Sequence, residues 1–240
     1  MKIKVPKTIN DLRIRHIDIL NDEKYRAEDL DLDTIVNFVA GITGEPLDKL
    51  YQVDFKDLTN IFYYCIDLFD GFKITDPKKI ITIEGLDYKL VDPMKVGIGW
   101  HIDISKSDFE KNPALLAASC YLPVQCKHYG ETDEYSNIKY PRFERAEIFN
   151  SHMDLPTYLN VLTFFFSRIN ETNEKAYGPA KEGAKENTNI WLWEQLIDMI
   201  SKEYRMSWDD VTKLNIFTFN HYVNFLNFKA KEQIRNIKRG

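Results

Sequence analysis

The stretch GWHIDIS, residues 99 to 105, places a histidine and an aspartate two positions apart, at His101 and Asp103. In non-haem iron oxygenases this His-x-Asp spacing supplies two of the three protein ligands, and a histidine further along the chain supplies the third. The possible third ligands in this chain are His152 and His221. The motif therefore raises one enzyme hypothesis, an intracellular non-haem metal enzyme that uses His101 and Asp103.

The surroundings of GWHIDIS favour a different interpretation. In the oxygenases the ligands project from a β-sandwich, whereas the segments around His152 and His221 have helical patterns. Within the stretch, Trp100, Ile102 and Ile104 alternate with polar residues. This alternation predicts a half-exposed extended segment or an amphipathic turn. We therefore expect no catalytic, cofactor-binding or metal-binding residues, and no cofactor.

A second group of candidate residues is Cys120, Cys126 and His128, whose thiols and imidazole could bind zinc. Their spacing is not that of a tight chelating pair, and no second pair of ligands follows. A nucleophilic Cys126 with His152 as its base is an alternative that the sequence leaves open. Neither G-x-x-x-x-G-K-[ST] nor G-x-G-x-x-G occurs, so no phosphate-binding motif indicates a nucleotide site.

Composition and charge limit the partners of this chain. It has 240 residues, of which 44% are hydrophobic, enough to bury a sizeable core, and its net charge of −5 does not favour nucleic acid or an anionic membrane. No long apolar run or signal-peptide pattern is present, and three cysteines fit free thiols in a reducing cytoplasm. We expect no membrane partner and no nucleic-acid contact, and we attribute the basic end KAKEQIRNIKRG to cations at a helix C-terminus.

Two early helices have clear start and stop signals. Asp31 or Asp33 is a suitable N-cap for the first helix, and Gly44 ends it. Asp54 caps the second helix, and Gly71 follows its last apolar residue. Both segments repeat apolar residues with the period of an α-helix, so one face of each should point inward.

The rest of the pattern is mostly helical, with one β element. Two short β-branched or aromatic runs around EGLD predict a β-hairpin near residues 79–91. Residues 124–141 have no sustained period and predict a long surface loop of the kind that often carries interactions. Asp154 caps a long helix, and Ser207 with Asp210 forms a capping box nearer the C-terminus. The predicted fold class is mainly α with a small β-hairpin.

A linker divides the predicted domains. The stretch YGPAKEGAKENTN, residues 177–189, has almost nothing to bury. It separates a mainly helical domain, 1–176, from a C-terminal helical subdomain, 190–240. This subdomain holds more aromatic side chains than so small a unit can bury, so some must pack on the first domain or on another subunit. The candidate interaction residues are Trp191, Trp193, Trp208, Phe217, Tyr222, Phe225, Tyr129 and Tyr135.

Several patterned segments follow one another in a recognisable order. The hairpin ITIEGLDYKL comes first, then the helix FEKNPALLAASCYLPV, the loop end YPRFERAEIF and the segment LPTYLNVLTFFFSRI. After the linker comes WLWEQLIDMISKEYRMSWDDVTKLNIFTFNHYVNFLNFKAKEQ. This order resembles proteins from the structural-gene modules of tailed bacteriophages, including crAss-like ones, some of which are compared with tail assembly chaperones. The resemblance implies a virion component or an assembly factor and brings no catalytic residues.

From these observations we expect a non-enzymatic structural or assembly protein of a tailed bacteriophage particle, in the portal, neck or tail region. It would form homo-oligomers or hetero-oligomers with other virion or assembly proteins. One alternative is a tail assembly chaperone that is absent from the mature particle, and another is the metal enzyme described above. The expected location is the host cytoplasm during assembly, and the virion if the protein stays in the particle.

Overall fold

The structure, a computed structural model, describes residues 3–27, 30–109, 111–135, 137–177 and 192–237. Within these ranges the fold is mainly helical with a small antiparallel sheet, which confirms the predicted fold class. The helices are α1 (Ile17–Asn21), α2 (Leu32–Thr43), α3 (Leu47–Leu50), α4 (Phe55–Asp70), α5 (Ile98–Ser105), α6 (Pro113–Cys120), α7 (Arg142–His152), α8 (Leu155–Tyr177), α9 (Leu192–Tyr204), α10 (Trp208–Lys213) and α11 (Ile216–Ile237). The strands are β1 (Ile80–Ile83), β2 (Leu86–Leu90) and β3 (Tyr121–Pro123). None of the described helices combines the length and the apolar character needed to cross a membrane.

The N-caps of α2 and α4 form where the sequence predicts them. The Asp31 carboxylate accepts a hydrogen bond from the backbone N–H of Thr34 at 2.7 Å. The Asp54 carboxylate accepts one from the backbone N–H of Lys56 at 2.8 Å. Gly44 ends α2 with φ 71, in the left-handed region that glycine reaches without steric cost. Both predicted helices are confirmed.

The sheet contains the predicted hairpin and one strand more. β1 and β2 form the hairpin, and its turn places Glu84 at φ 50 and Gly85 at φ 75. Two successive positive φ values are typical of a type I′ turn, whose geometry matches the twist of the two strands that it joins. The helix predicted up to Pro123 ends at Cys120 instead, and Tyr121–Pro123 forms β3, which pairs antiparallel with β2 and sets Tyr88 opposite Pro123. The sheet order is β1-β2-β3.

The chain forms two compact units, each assembled from separate stretches of sequence. The first unit comprises Met1–Leu86, Phe109–Ala118 and Phe143–Phe164, and the second comprises Asp87–Asp108, Ser119–Arg142 and Phe165–Gly240. The predicted linker at 177–189 lies, from residue 178 onward, outside the described residues. The predicted division into 1–176 and 190–240 therefore stays a prediction.

The core of the first unit is rich in aromatic contacts between α2, α4 and the segment before α2. The Phe38 ring lies 4.6 Å from the Phe62 ring and 5.1 Å from the Tyr25 ring, centroid to centroid, in edge-to-face geometry. All three side chains are buried. Edge-to-face pairs at these distances add to the free energy gained from burial alone. The aromatic contacts thus join the helices that the sequence analysis predicted from their caps.

The second unit is built around a cluster of five aliphatic side chains and one phenylalanine, to which α5, α9, α10 and α11 contribute and which we call the aliphatic cluster. Its buried members are Ile98, Ile197, Ile200, Val211, Ile216 and Phe219. The Ile98 backbone N–H donates to the Leu214 carbonyl at 2.7 Å, which ties the start of α5 to the segment between α10 and α11. The Ser207 and Asp210 capping box is present at the start of α10, as predicted. The three predicted helices of the tail are α9, α10 and α11.

Gly97 permits a close approach between the start of α5 and the end of α10. A Cβ atom at Gly97 would lie 2.5 Å from the Thr212 carbonyl oxygen and 3.0 Å from Lys213 Cα, both backbone atoms. A Cβ atom at Gly99 would lie 3.3 Å from Thr212 Cβ and 3.5 Å from its carbonyl oxygen. Only a side chain at Gly97 would therefore force the backbone to move.

We expect Gly97→Ala to lower the free energy of unfolding by about 1–3 kcal/mol. The added methyl group overpacks this contact and forces the backbone of the second unit to shift. Gly99→Ala is the matched control. It sits inside α5, where alanine gains up to about 1 kcal/mol of helix propensity over glycine, and this offsets the tighter contact. Thermal unfolding of both variants tests the difference, and equal melting temperatures would contradict it.

Candidate functional site

The GWHIDIS stretch is helical, which corrects the prediction of an extended segment or a turn. It lies in α5, so His101 and Asp103, two positions apart, point about 200° away from each other around the helix axis. His101 is buried, and its Nε2–H donates to the Pro93 carbonyl at 2.9 Å. Burial lowers the pKa of His101 from 6.5 to about 4. The Asp103 carboxylate instead accepts the Tyr129 hydroxyl at 2.5 Å. The two side chains do not converge on one ion.

The other histidines of the iron hypothesis have different surroundings. In the first unit, Nδ1 of His152 lies 2.9 Å from a carboxylate oxygen of Glu84. His221 is exposed on α11. Within the described ranges, no three His, Cys, Asp or Glu side chains come together in a group that could hold a metal ion. The geometry of these residues thus gives the metal-enzyme alternative no support.

All three cysteines are free and buried. Burial raises the pKa of the Cys65 thiol to about 11 and also raises that of Cys120. The Cys126 thiol donates to the backbone carbonyl of His128 at 2.9 Å. A buried thiol with a raised pKa is a poor nucleophile and a poor metal ligand, because both roles need the thiolate. Cys126, which is 3% exposed, is by its burial and hydrogen bond a packed residue of the loop.

The candidate interaction residues fall into three groups. Trp208, Phe217, Phe225 and Tyr135 are exposed large side chains. Trp193, Tyr222 and Tyr129 are half-buried. Trp191 lies outside the described residues. The first group offers the most accessible surface among the described candidates.

The half-buried aromatics have intramolecular partners within the second unit. The Trp193 indole N–H donates to the Ser105 hydroxyl at 3.1 Å, and its ring packs against the aliphatic cluster. The Tyr222 ring lies 4.4 Å from the Tyr204 ring. These contacts give Trp193 and Tyr222 a packing role inside the unit. The sequence predicted the surplus of aromatic residues but not which of them face inward.

Three phenylalanines form what we call the aromatic face of α11: Phe217, Phe225 and Phe228. Their exposed fractions are 37%, 46% and 60%. At about 100° per residue they lie within an arc of about 80° on the helix surface. His221 and Asn224, which are also exposed, lie on the same side. Phe228 was not among the candidate interaction residues, although the helical period relates it to Phe217 and Phe225.

Charged residues border the aromatic face. Lys229 pairs with Glu203 of α9, and this hydrogen bond raises the pKa of the lysine. The Lys229 ammonium also lies 5.8 Å from the centre of the Phe225 ring, within range of a cation–π contact. Arg235 pairs with Glu232 at 3.4 Å. The face therefore combines three exposed aromatic rings, two polar side chains among them and a charged border, a composition found in protein interfaces.

The loop at 124–141 is anchored by Glu131. Its carboxylate accepts the Lys139 ammonium at 2.8 Å and the backbone N–H of Lys127 at 2.7 Å. The hydrogen bond from Lys139, followed by that from Lys127, lowers the pKa of Glu131 to about 2. Tyr135 is 76% exposed between these anchors. The predicted loop is present, and it presents one large aromatic side chain outward.

Comparisons with protein-family models, with curated proteins and with solved structures find no match to this chain. No functional residue is therefore carried over from a relative. The aromatic face of α11 and the loop that carries Tyr135 are candidates because of their exposure and their surroundings in this fold.

Proposed function

We propose that this chain is a structural or assembly component of a multi-subunit particle, of the kind encoded by tailed bacteriophages, and that it acts through protein contacts. The observation that supports this most directly is the aromatic face of α11. Exposed large apolar side chains grouped on one face and bordered by charges mark protein interaction sites more often than isolated ones do. The resemblance of the segment order to phage structural-module proteins supports the same class of function.

Aromatic side chains are suited to this role for a physical reason. Phenylalanine buries a large apolar area with few rotatable bonds, so it loses little conformational entropy when a partner covers it. Residues of this kind near the centre of an interface carry most of the binding free energy. Phe225 and Phe228 are the two most exposed members of the face and should contribute most.

The test is the native mass of the full chain, measured by light scattering alone and after mixing with extract from its source. The wild-type chain should form an oligomer or enter a larger complex of defined stoichiometry. The double substitution Phe225→Ser and Phe228→Ser should shift it towards the 28.3 kDa monomer, because it removes the centre of the contact.

The matched control for this test is Phe55→Ser, a phenylalanine that is 49% exposed on another helix, α4. This variant should assemble as the wild type does. A wild-type chain that stays monomeric in both settings would contradict the proposal, and so would a double variant that assembles normally. Mass spectrometry of finished particles then separates a permanent component from an assembly chaperone, which leaves before maturation.

A further inference from the structure

A cleft of about 640 Å³ lies entirely within the second unit and separately from the aromatic face. Four segments line it: the chain from Lys89 to Asp103, Leu122 of β3, the loop residues 127–130, and α10. Small-molecule sites in proteins usually have volumes of about 300–1,000 Å³. The cleft thus has the size of a site for a drug-sized or nucleotide-sized molecule.

The inner wall of the cleft is apolar. Leu90, Val91, Val96 and Leu122 line it, and of these Val91 and Leu122 are buried. They come from β2, from the chain that follows it and from β3. A wall of this composition favours the organic part of a ligand over water.

The rim of the cleft carries lysines and aspartates, and two of its three aspartates form ion pairs with lysines. Asp92 lies 3.7 Å from the Lys95 ammonium, and Asp209 pairs with Lys213. The third carboxylate, that of Asp103, accepts the hydroxyl hydrogen bond from Tyr129 described above and keeps its negative charge.

Two further lysines of the rim form no such ion pair. Neither Lys89 nor Lys127 forms an ion pair in the part of the chain that the structure describes. The Lys89 ammonium donates to the Cys126 carbonyl at 2.7 Å, which holds it beside the residue that precedes Lys127. Both lysines therefore bring ammonium groups without an ion pair to the cleft, and the Glu131 carboxylate, which accepts the Lys127 backbone N–H, offsets part of the Lys127 charge.

Two aromatic rings line the same cleft as these two cations. His128 and Tyr129 follow Lys127 directly and also line the cleft. The hydrogen bond to Asp103 fixes the position of the Tyr129 ring. A cleft that holds both flat rings and ammonium groups is suited to an organic phosphate, because a base or another flat group can stack on a ring while its phosphate meets the cations.

We propose that this cleft binds a nucleotide-sized organic phosphate, with Lys89 and Lys127 contacting the phosphate and Tyr129 contacting the organic part. The apolar wall and the volume argue for an organic group in addition to the anion, since a free phosphate would leave most of the cleft empty. This site needs no glycine-rich phosphate loop, because side-chain ammonium groups supply the positive charge. The inference does not rest on the assembly function.

The experiment is isothermal titration of the full chain with ATP, inorganic pyrophosphate and adenosine, in buffer with a chelator so that no metal contributes. ATP should bind saturably, and pyrophosphate and adenosine should each bind at least about tenfold more weakly, because each lacks one half of the recognised group. Lys127→Glu should weaken ATP binding by at least about tenfold, because it replaces a cation with an anion at the rim.

Lys202→Glu is the matched control, because Lys202 is an exposed lysine of the same unit that lies outside the cleft and pairs with Asp198. It should leave ATP binding unchanged. Absence of ATP binding in the millimolar range would overturn the proposal, as would equal affinity of the wild type and Lys127→Glu. Adenosine or pyrophosphate that binds as tightly as ATP would also overturn it, since only one part of the ligand would then be recognised.

Discussion

Replacing Phe219 with alanine should lower the free energy of unfolding by about 3–5 kcal/mol, the usual cost of removing a fully buried phenylalanine. Phe219 is 1% exposed and belongs to the aliphatic cluster of the second unit. Its ring centre lies 6.1 Å from that of Trp193. Because the cluster receives side chains from four helices, the cavity left by the missing ring cannot close without moving several of them.

Thermal unfolding followed by circular dichroism measures this effect. In a chain of this size, a loss of 1 kcal/mol lowers the melting temperature by about 2–4 °C, so the expected shift is on the order of 10 °C. Phe228→Ala is the control on the same helix. It removes an exposed ring and should change the stability by no more than about 0.5 kcal/mol in dilute solution. A similar shift for both variants would mean that the cluster does not hold α11 in place.

The helices with strong local signals were predictable because their ends depend on neighbouring residues. Asp154 is an example: its carboxylate accepts the Thr157 backbone N–H at 2.8 Å at the start of α8. The capping box at Ser207 and the turn at Gly85 are equally local. In each case the side chain or backbone conformation that ends or starts the element lies within a few positions in sequence.

β3 and α5 were not predictable because distant parts of the chain determine them. β3 has only three residues, too few to show an alternating pattern, and it forms because β2 offers a partner with unpaired backbone groups. The apolar alternation of Trp100, Ile102 and Ile104 indicated an extended segment. The contact of α5 with α10 and with the aliphatic cluster overrides that pattern.

The aromatic face of α11 depends on local sequence, whereas the cleft depends on distant parts of the chain. The aromatic face of α11 lies on a single helix, so the helical period places Phe217, Phe225 and Phe228 together once the helix is known. The cleft has no comparable signal. Lys89, Lys127 and Asp209 lie in three segments that are far apart in sequence, and only tertiary structure brings them to one cavity. Sequence reasoning therefore predicts surfaces on single helices better than cavities between segments.

The folded chain should lose stability as the pH falls from 6.5 to about 4, because two buried histidines resist protonation. His16, in the first unit, is 4% exposed, and its Nδ1 accepts the backbone N–H of Arg13 at 2.9 Å. Burial, with smaller contributions from the charges of Arg15 and Arg13, lowers its pKa from 6.5 to about 4. Protonation of Nδ1 would break this hydrogen bond and place a buried positive charge beside two arginines.

His101 shows the same direction of shift in the second unit, since burial lowers its pKa to about 4 and the hydrogen bond to Pro93 only partly opposes this. The unfolded chain takes up a proton on each histidine near pH 6.5, whereas the folded chain does so only near pH 4. The stabilisation is therefore complete above pH 6.5 and is lost as the pH falls towards 4. Each histidine can account for up to about 3 kcal/mol of this loss.

Urea unfolding of the wild type and of His101→Gln, at neutral pH and near pH 4, tests this expectation. Glutamine carries no charge at either pH, so the variant should lose less stability across the window, by up to about 3 kcal/mol. His128→Gln, which changes an exposed histidine of the loop, should lose as much stability as the wild type. If His101→Gln loses as much as the wild type over the same window, burial of His101 does not contribute to the acid sensitivity of the fold.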